Sequence, residues 1–285
     1  MEWITFVILS ILFASISRIL QKMLFKEEKA DPILGAVSFQ YAVCLIILIY
    51  SLFTGFNLNG YENYIHLLII SGLVYALGNV LMFKAFKIAQ ASQVTIALSS
   101  TAIWTVMASI ILLKETLTIV QIVGICLVVF SLILTNINGE NKINLKKKGI
   151  IYSLAAAVLF GIGFTIDALA IGDRDVDSYL VLAFFLPATF VFIYYFKHIQ
   201  KVIKVKSSIN YREIILTSVL YAFSNIFIFT AYQAGGNASI ISPLQQVSTI
   251  LTVILAILFL KERDNIKFKI VASIISIIGV ILLVL

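Results

Sequence analysis

Ten stretches of about twenty mostly apolar residues follow one another along this chain, and that succession constrains its fold more than any single motif. They run over about 3–25, 33–53, 63–86, 91–113, 117–136, 149–170, 178–196, 213–233, 237–260 and 266–285. An α-helix needs ~20 such residues to cross a bilayer. With 61% hydrophobic and 12% charged residues and a mean hydropathy of +1.06, too little polar surface exists to coat a water-soluble globule. The sequence therefore predicts an all-α integral membrane protein of ten transmembrane helices. The first run begins at Trp3 with no basic segment before it and lacks a small-residue cleavage pattern, so it is expected to remain as the first span.

The ten runs divide into two copies of one unit. Tyr75-Ala76-x-x-Asn79 returns as Tyr221-Ala222-x-x-Asn225 at an offset of 146, and Lys114-Glu115 returns as Lys261-Glu262 at an offset of 147. Asn138 to Lys148 forms a short basic linker, which places one five-helix repeat over 1–137 and the second over 149–285, with 138–148 between them. Lys26, Lys29, Lys87, Lys142, Lys146, Lys147, Lys148, Lys197, Lys201, Lys204, Lys206, Arg212, Lys261 and Arg263 all fall in loops after odd-numbered runs. The alternate loops hold only Lys114 and Arg174. By the positive-inside rule the first group is cytoplasmic and both termini lie outside. Five is odd, so the second copy enters the membrane inverted, and two inverted bundles create a site near the midplane.

Each unit contains an aromatic-rich helix, a small-residue helix, a Lys-Glu pair and a final helix bearing Gly124 or Gly279. In this the chain resembles the drug/metabolite transporter superfamily, in its ten-helix EamA-type branch, over its whole length. The proline that family members often carry about thirteen residues before the terminal Glu is replaced by Ala102 and Thr249. Relatives often keep both termini cytoplasmic, against the charge count. The resemblance implies alternating-access transport of small organic molecules and, in direction, export.

Candidate substrate contacts follow from polar residues that apolar helices would otherwise exclude. Aligning the fourth and ninth runs by their Lys-Glu ends pairs Ser92 with Ser239, Thr95 with Ser242, Ser99 with Gln246, Ala102 with Thr249 and Thr105 with Thr252, along one helical face each. Such a stripe must face protein or a wet cavity; packing through small residues accounts for it equally well. Gln245 and Gln246 are harder to explain by packing, because a primary amide has two donors and two acceptors to satisfy. Pro243 removes an N–H from the same run and offers a hinge. Tyr75 with Asn79, and Tyr221 with Asn225, lie one turn apart and either bind substrate or bridge helices. Trp104 and Gln40 are further wall candidates, with core or interface anchoring as the blander role.

Ionisable residues inside the runs are Arg18, Lys22, Lys84 and Asp167. Asp167 is a candidate proton or cation site and Arg18 a candidate anion contact. Inverted packing sends them towards opposite faces, so they are not expected to pair. Cys44 and Cys126 fall within runs and read as small buried hydrophobes. His66 and His198 lie near run boundaries, and no nucleophile, metal-ligand cluster or phosphate loop converges, which argues against an enzyme and against a metal or cofactor. A net charge of +7 spread over loops suits anionic lipid rather than nucleic acid. The expected function is transport of small polar metabolites such as amino acids across the plasma membrane by a multi-pass protein without an obligate protein partner; organic cations, drugs or choline-like molecules, or a passive channel, are the alternatives.

Overall fold

Backbone N–H and C=O groups have no water to bond inside a bilayer, and helices satisfy them within the segment. The computed structural model describes residues 2–25, 30–113, 118–136, 145–171, 175–204, 210–234, 245, 247–262 and 265–285, and among these it contains α- and 3₁₀-helices and no strand. The α-helices are α1 (Glu2–Met23), α2 (Pro32–Thr54), α3 (Ile65–Ile88), α4 (Ala91–Leu98), α5 (Thr101–Leu113), α6 (Ile119–Asn136), α7 (Leu145–Ile171), α8 (Val176–Tyr194), α9 (Phe196–Lys204), α10 (Tyr211–Gln233), α11 (Val247–Phe259) and α12 (Ile266–Val284). Six, namely α1, α2, α3, α7, α8 and α10, are long and apolar enough to cross a membrane. Their outward faces are greasy: Phe53 and Tyr194 are each more than 80% exposed, as suits contact with lipid.

Helices of one half pack against helices of the other. α1 lies along α10 and α3 along α7, α2 along α8, α4 against α11, and α6 along α12. If the halves are superposed by the sequence repeat, the α1–α10 and α7–α3 seams are equivalent and the α2–α8 and α6–α12 pairs map onto themselves. Such pairing is what a twofold relation between inverted copies requires. The directions agree. Ser10 meets Ser224 and Ser17 meets Thr217, so α1 and α10 are antiparallel.

Small residues let these seams close. Ser10 Oγ donates to the Ser224 carbonyl at 2.7 Å while Ser224 Oγ donates to the Ser10 carbonyl at 2.9 Å. A Cβ on Gly78 would lie 2.6 Å from the Phe160 ring, and one on Gly161 would lie 2.5 Å from Trp104 Cβ. At the α6–α12 crossing, a Cβ on Gly279 would lie 2.8 Å from the Gly124 carbonyl oxygen. The twin glycines noted in the sequence thus meet each other.

Three expectations need correction. The apolar run 91–113 is not one helix but α4 and α5, broken at Ser99 and Ser100. Ser99 Oγ donates to the Ile96 carbonyl at 2.6 Å and Ser100 Oγ to the Ala97 carbonyl at 2.7 Å. These hydroxyls compete for the carbonyls that the next turn would use. Second, the stretch after α8, expected as loop, holds α9. Its lysines 197, 201 and 204 oppose the buried Ile199, and His198 Nε2 lies 2.9 Å from Asp31 Oδ2, the pattern of a helix lying in the interface plane. Third, Cys126 is exposed on α6, unlike the buried Cys44.

The basic residues gather on one face. Lys22 Nζ reaches the Phe86 carbonyl at 2.6 Å, Lys87 Nζ the Ala30 carbonyl at 2.7 Å, and a Cβ on Gly149 would touch Ala89. The end of α3 and the starts of α2 and α7 therefore share a face with the end of α1. The opposite face carries Asp177, which accepts from Thr54, and Asp175, whose carbonyl accepts from Tyr61. We expect Gly279→Ala to force α6 and α12 apart and cost about 1–3 kcal/mol. A lower Tm in detergent checks it, with lipid-facing Ile278→Leu as the unchanged control.

Candidate site between the two halves

The repeated tyrosines are central by simple geometry. Tyr75 lies ten residues into α3 and Tyr221 ten residues into α10; these helices enter from opposite faces. At ~1.5 Å per residue each is ~15 Å deep, half of a ~30 Å hydrocarbon core. The two tyrosines lie within electrostatic reach of each other.

Their surroundings differ in charge. On one side, Asp167 of α7 accepts hydrogen bonds from Ser71 Oγ at 2.6 Å, from Tyr75 OH at 2.6 Å, and from Tyr179 OH. Three hydroxyl donors from α3 and α8 saturate most of the carboxylate's acceptor capacity. The contact joins three helices by one side chain. On the other side, Tyr221 lies within electrostatic reach of Arg18 of α1, whose Nη1 donates to Ser248 Oγ at 3.1 Å. Arg18 and Asp167 do not bond to each other, as the inverted geometry anticipates.

Ser71 extends the repeat that the sequence revealed. Ser71, Tyr75 and Asn79 correspond to Thr217, Tyr221 and Asn225 at the same offset of 146, one face of a helix in each copy. Ser71 and Tyr179 were not picked out from sequence; the matching hydroxyl at 71 and 217 was the available signal. The asparagines have identical jobs. Asn79 Nδ2 donates to the Tyr75 carbonyl and Asn225 Nδ2 to the Tyr221 carbonyl, each at 2.8 Å, so their amide donors serve their own helices.

Other sequence candidates divide. Gln245 donates through Nε2 to Ser10 Oγ at 3.0 Å, leaving its buried Oε1 without a partner. Among the described residues, Gln40 is 1% exposed with neither amide atom bonded, and Trp104 Nε1 and Thr95 Oγ1 are buried atoms without partners. Thr249 is buried on α11. Ser99 is spent on helix contacts, since its Oγ also lies 2.6 Å from Ser276 Oγ of α12. The break at Ser99 means the proposed stripe from Ser92 to Thr105 does not run along one continuous helix. Gln246, Ser242 and Pro243 lie outside the described residues. Among the described residues no group of three or more His, Cys, Asp or Glu could hold a metal ion.

The repeated Lys-Glu pair, assigned no role from sequence, has one in the second half. Glu262 accepts from the N–H of Ala91 at 2.7 Å, the N–H of Ser92 at 3.1 Å and Ser92 Oγ at 2.6 Å. It thereby caps α4 with a charge favoured at a helix N-terminus. Lys269 of α12 lies 4.0 Å from the same carboxylate and donates to Gln90 Oε1 at 2.7 Å. One carboxylate joins α4, the end of α11 and the start of α12 on the basic face. Replacing Glu262 by Gln removes the charge and turns one acceptor into a donor facing N–H groups. The expected cost is about 1–3 kcal/mol, read as a lower Tm, whereas Lys261→Gln next to it leaves Tm nearly unchanged.

Comparison with known proteins agrees with this architecture. A solved crystal structure, described only as that of a protein, superposes with a TM-score of 0.64 at 12% identity, covering 98% of this chain and 97% of its own. At that identity it speaks for the fold alone. No curated protein matches the chain. The model of the EamA-like transporter family matches residues 1–137 and again residues 147–285. With both halves matched, the chain is a multi-pass membrane transporter belonging to the EamA-like transporter family, within the drug/metabolite transporter superfamily.

Proposed function

We propose that this protein is a ten-span alternating-access carrier that exports small polar organic metabolites, amino acids or similar, across the plasma membrane. The observation that carries the reading is a set of buried polar atoms without partners among the described residues: Gln40 Nε2 and Oε1, Gln245 Oε1, Trp104 Nε1 and Thr95 Oγ1. A buried polar group left unpaired costs about 1–3 kcal/mol, and several such groups are unfavourable unless a ligand or water completes them. A polar, hydrogen-bonding substrate does so.

Discontinuous helices at mid-depth suit this use. The break at Ser99 and Ser100 lies eight residues from the start of α4, ~12 Å deep by helical rise. Rocking one bundle against the other would turn the same groups towards each face in turn. Asp167, held by three hydroxyls, is our candidate for proton or cation coupling: protonation converts one acceptor oxygen into a donor and releases one of the hydroxyls that tie α3 and α8 to α7. An organic-cation, drug or choline-like substrate is the second reading, favoured by that carboxylate, which has no cationic partner among the described residues.

Reconstitution in proteoliposomes tests the proposal. We expect saturable uptake and counterflow of amino acids, with Gln245→Ala and Gln40→Ala weakening transport roughly tenfold, the worth of one or two lost hydrogen bonds. Non-saturating flux without counterflow would indicate a channel. Saturable transport of organic cations only, abolished in Asp167→Asn, would establish the second reading instead.

A further inference from the structure

The polar face of α1 runs along α10 and the start of α11, and it carries a charge that nothing described neutralises. Ser10, Ser15 and Ser17 are fully buried on this face and bond to Ser224, to the Ser248 carbonyl at 3.1 Å and to the Thr217 carbonyl at 3.0 Å. Arg18 stands among them. Of its five guanidinium donors, one reaches Ser248 Oγ; no carboxylate lies within ion-pair distance among the described residues. Residues 235–244 and 246, which precede α11, include no Asp or Glu. Arg18 is half-buried; a guanidinium partly withdrawn from water without an anion is unfavourable, and arginine's planar fork matches a carboxylate in two parallel bonds.

The neighbouring groups complete a pattern. Among the described residues, Gln21, one turn after Arg18 and 1% exposed, leaves its Oε1 unbonded, and Thr217, one turn before Tyr221 and fully buried, leaves its hydroxyl unbonded. A carbonyl oxygen needs a donor, so beside an unpaired cation stand polar atoms that can accept from an ammonium group.

Asp167 does not supply that function for the same molecule. Arg18 lies five residues before the end of α1 on the basic face, and Asp167 four residues before the end of α7 on the opposite face. By helical rise they are roughly 20 Å apart along the membrane normal, too far for one small zwitterion to span. The charges therefore act separately.

We infer that Arg18 is the carboxylate-binding residue of a substrate subsite between α1, α10 and α11, with Ser248, Gln21, Thr217 and Tyr221 around it, and that the substrate is an α-amino acid recognised through its carboxylate. This rests on the carrier reading above and narrows its substrate class. It also assigns recognition to the α1–α10 seam, where hydrogen bonds remain unmade. The equivalent α3–α7 seam already has its carboxylate saturated.

The test uses the full-length protein and the twenty proteinogenic amino acids in a thermal-shift screen in detergent, because a ligand that binds only the folded state raises Tm. For the best binder, the amino acid is compared with its amide, its decarboxylated amine and its deaminated acid, and the same set is run as competitors of counterflow in proteoliposomes. We expect the amide and the amine to bind at least about tenfold more weakly, the loss of a charge-assisted pair. Arg18→Gln should erase that discrimination, and Arg18→Lys should restore part of it. Equal binding by the amide or the amine overturns the inference, as does discrimination that survives in Arg18→Gln. If Arg18→Gln does not fold, the ligand series on the unaltered protein decides alone. Saturable counterflow of organic cations but of no amino acid overturns this inference and leaves the carrier reading standing. Absence of saturable counterflow for every solute overturns both.

Discussion

Everything in this molecule depends on helices from one half lying against helices from the other. A bilayer offers no hydrophobic drive between helices, because lipid tails are as apolar as leucine, so close packing and interhelical hydrogen bonds must hold the bundle. The α1–α10 and α3–α7 seams supply both. Reciprocal serine-to-carbonyl bonds between Ser10 and Ser224 join the first, and glycine contacts at Gly78 and Gly163 with the Asp167 hydroxyl cluster join the second. Gly124 and Gly279 close the α6–α12 crossing in the same manner.

The inverted pairing has a chemical consequence. Duplicated helices bring Tyr75 and Tyr221 to the same depth from opposite faces, yet their surroundings differ: Tyr75 bonds to Asp167 in one seam, and Tyr221 lies within electrostatic reach of Arg18 in the other. The copies share a scaffold and differ in charge. One seam has its carboxylate held by three hydroxyls; the other keeps a guanidinium with no carboxylate partner, and unbonded Gln21 and Thr217 atoms, among the described residues. Division of labour between coupling and recognition follows naturally from such a difference, because a satisfied group is poised to release bonds and an unsatisfied one to form them.

Glu262 illustrates how a motif acquires meaning only in three dimensions. In the sequence it is half of a repeated Lys-Glu pair. In the fold it reaches back 170 residues to the first turn of α4, where two backbone N–H groups and Ser92 Oγ converge on it. A helix of eight residues is marginal on its own, and this carboxylate supplies its N-terminal partners.

The sequence by itself determined the membrane class, the duplication and the family, since long apolar runs and a motif recurring at one offset report directly on spans and repeats. It also identified Tyr75, Tyr221, Arg18, Asp167, Gln245 and Gln40 as unusual, because polar and charged groups stand out against hydrocarbon. Tertiary structure decided their roles. That Asn79 and Asn225 bond within their own helices, that Ser99 and Ser100 break the fourth run, and that Asp167 gathers Ser71, Tyr75 and Tyr179 from two other helices all turn on which groups meet across helix seams. Helical periodicity specifies the face a residue occupies; which face of which other helix lies opposite is set by packing, and no local pattern encodes it.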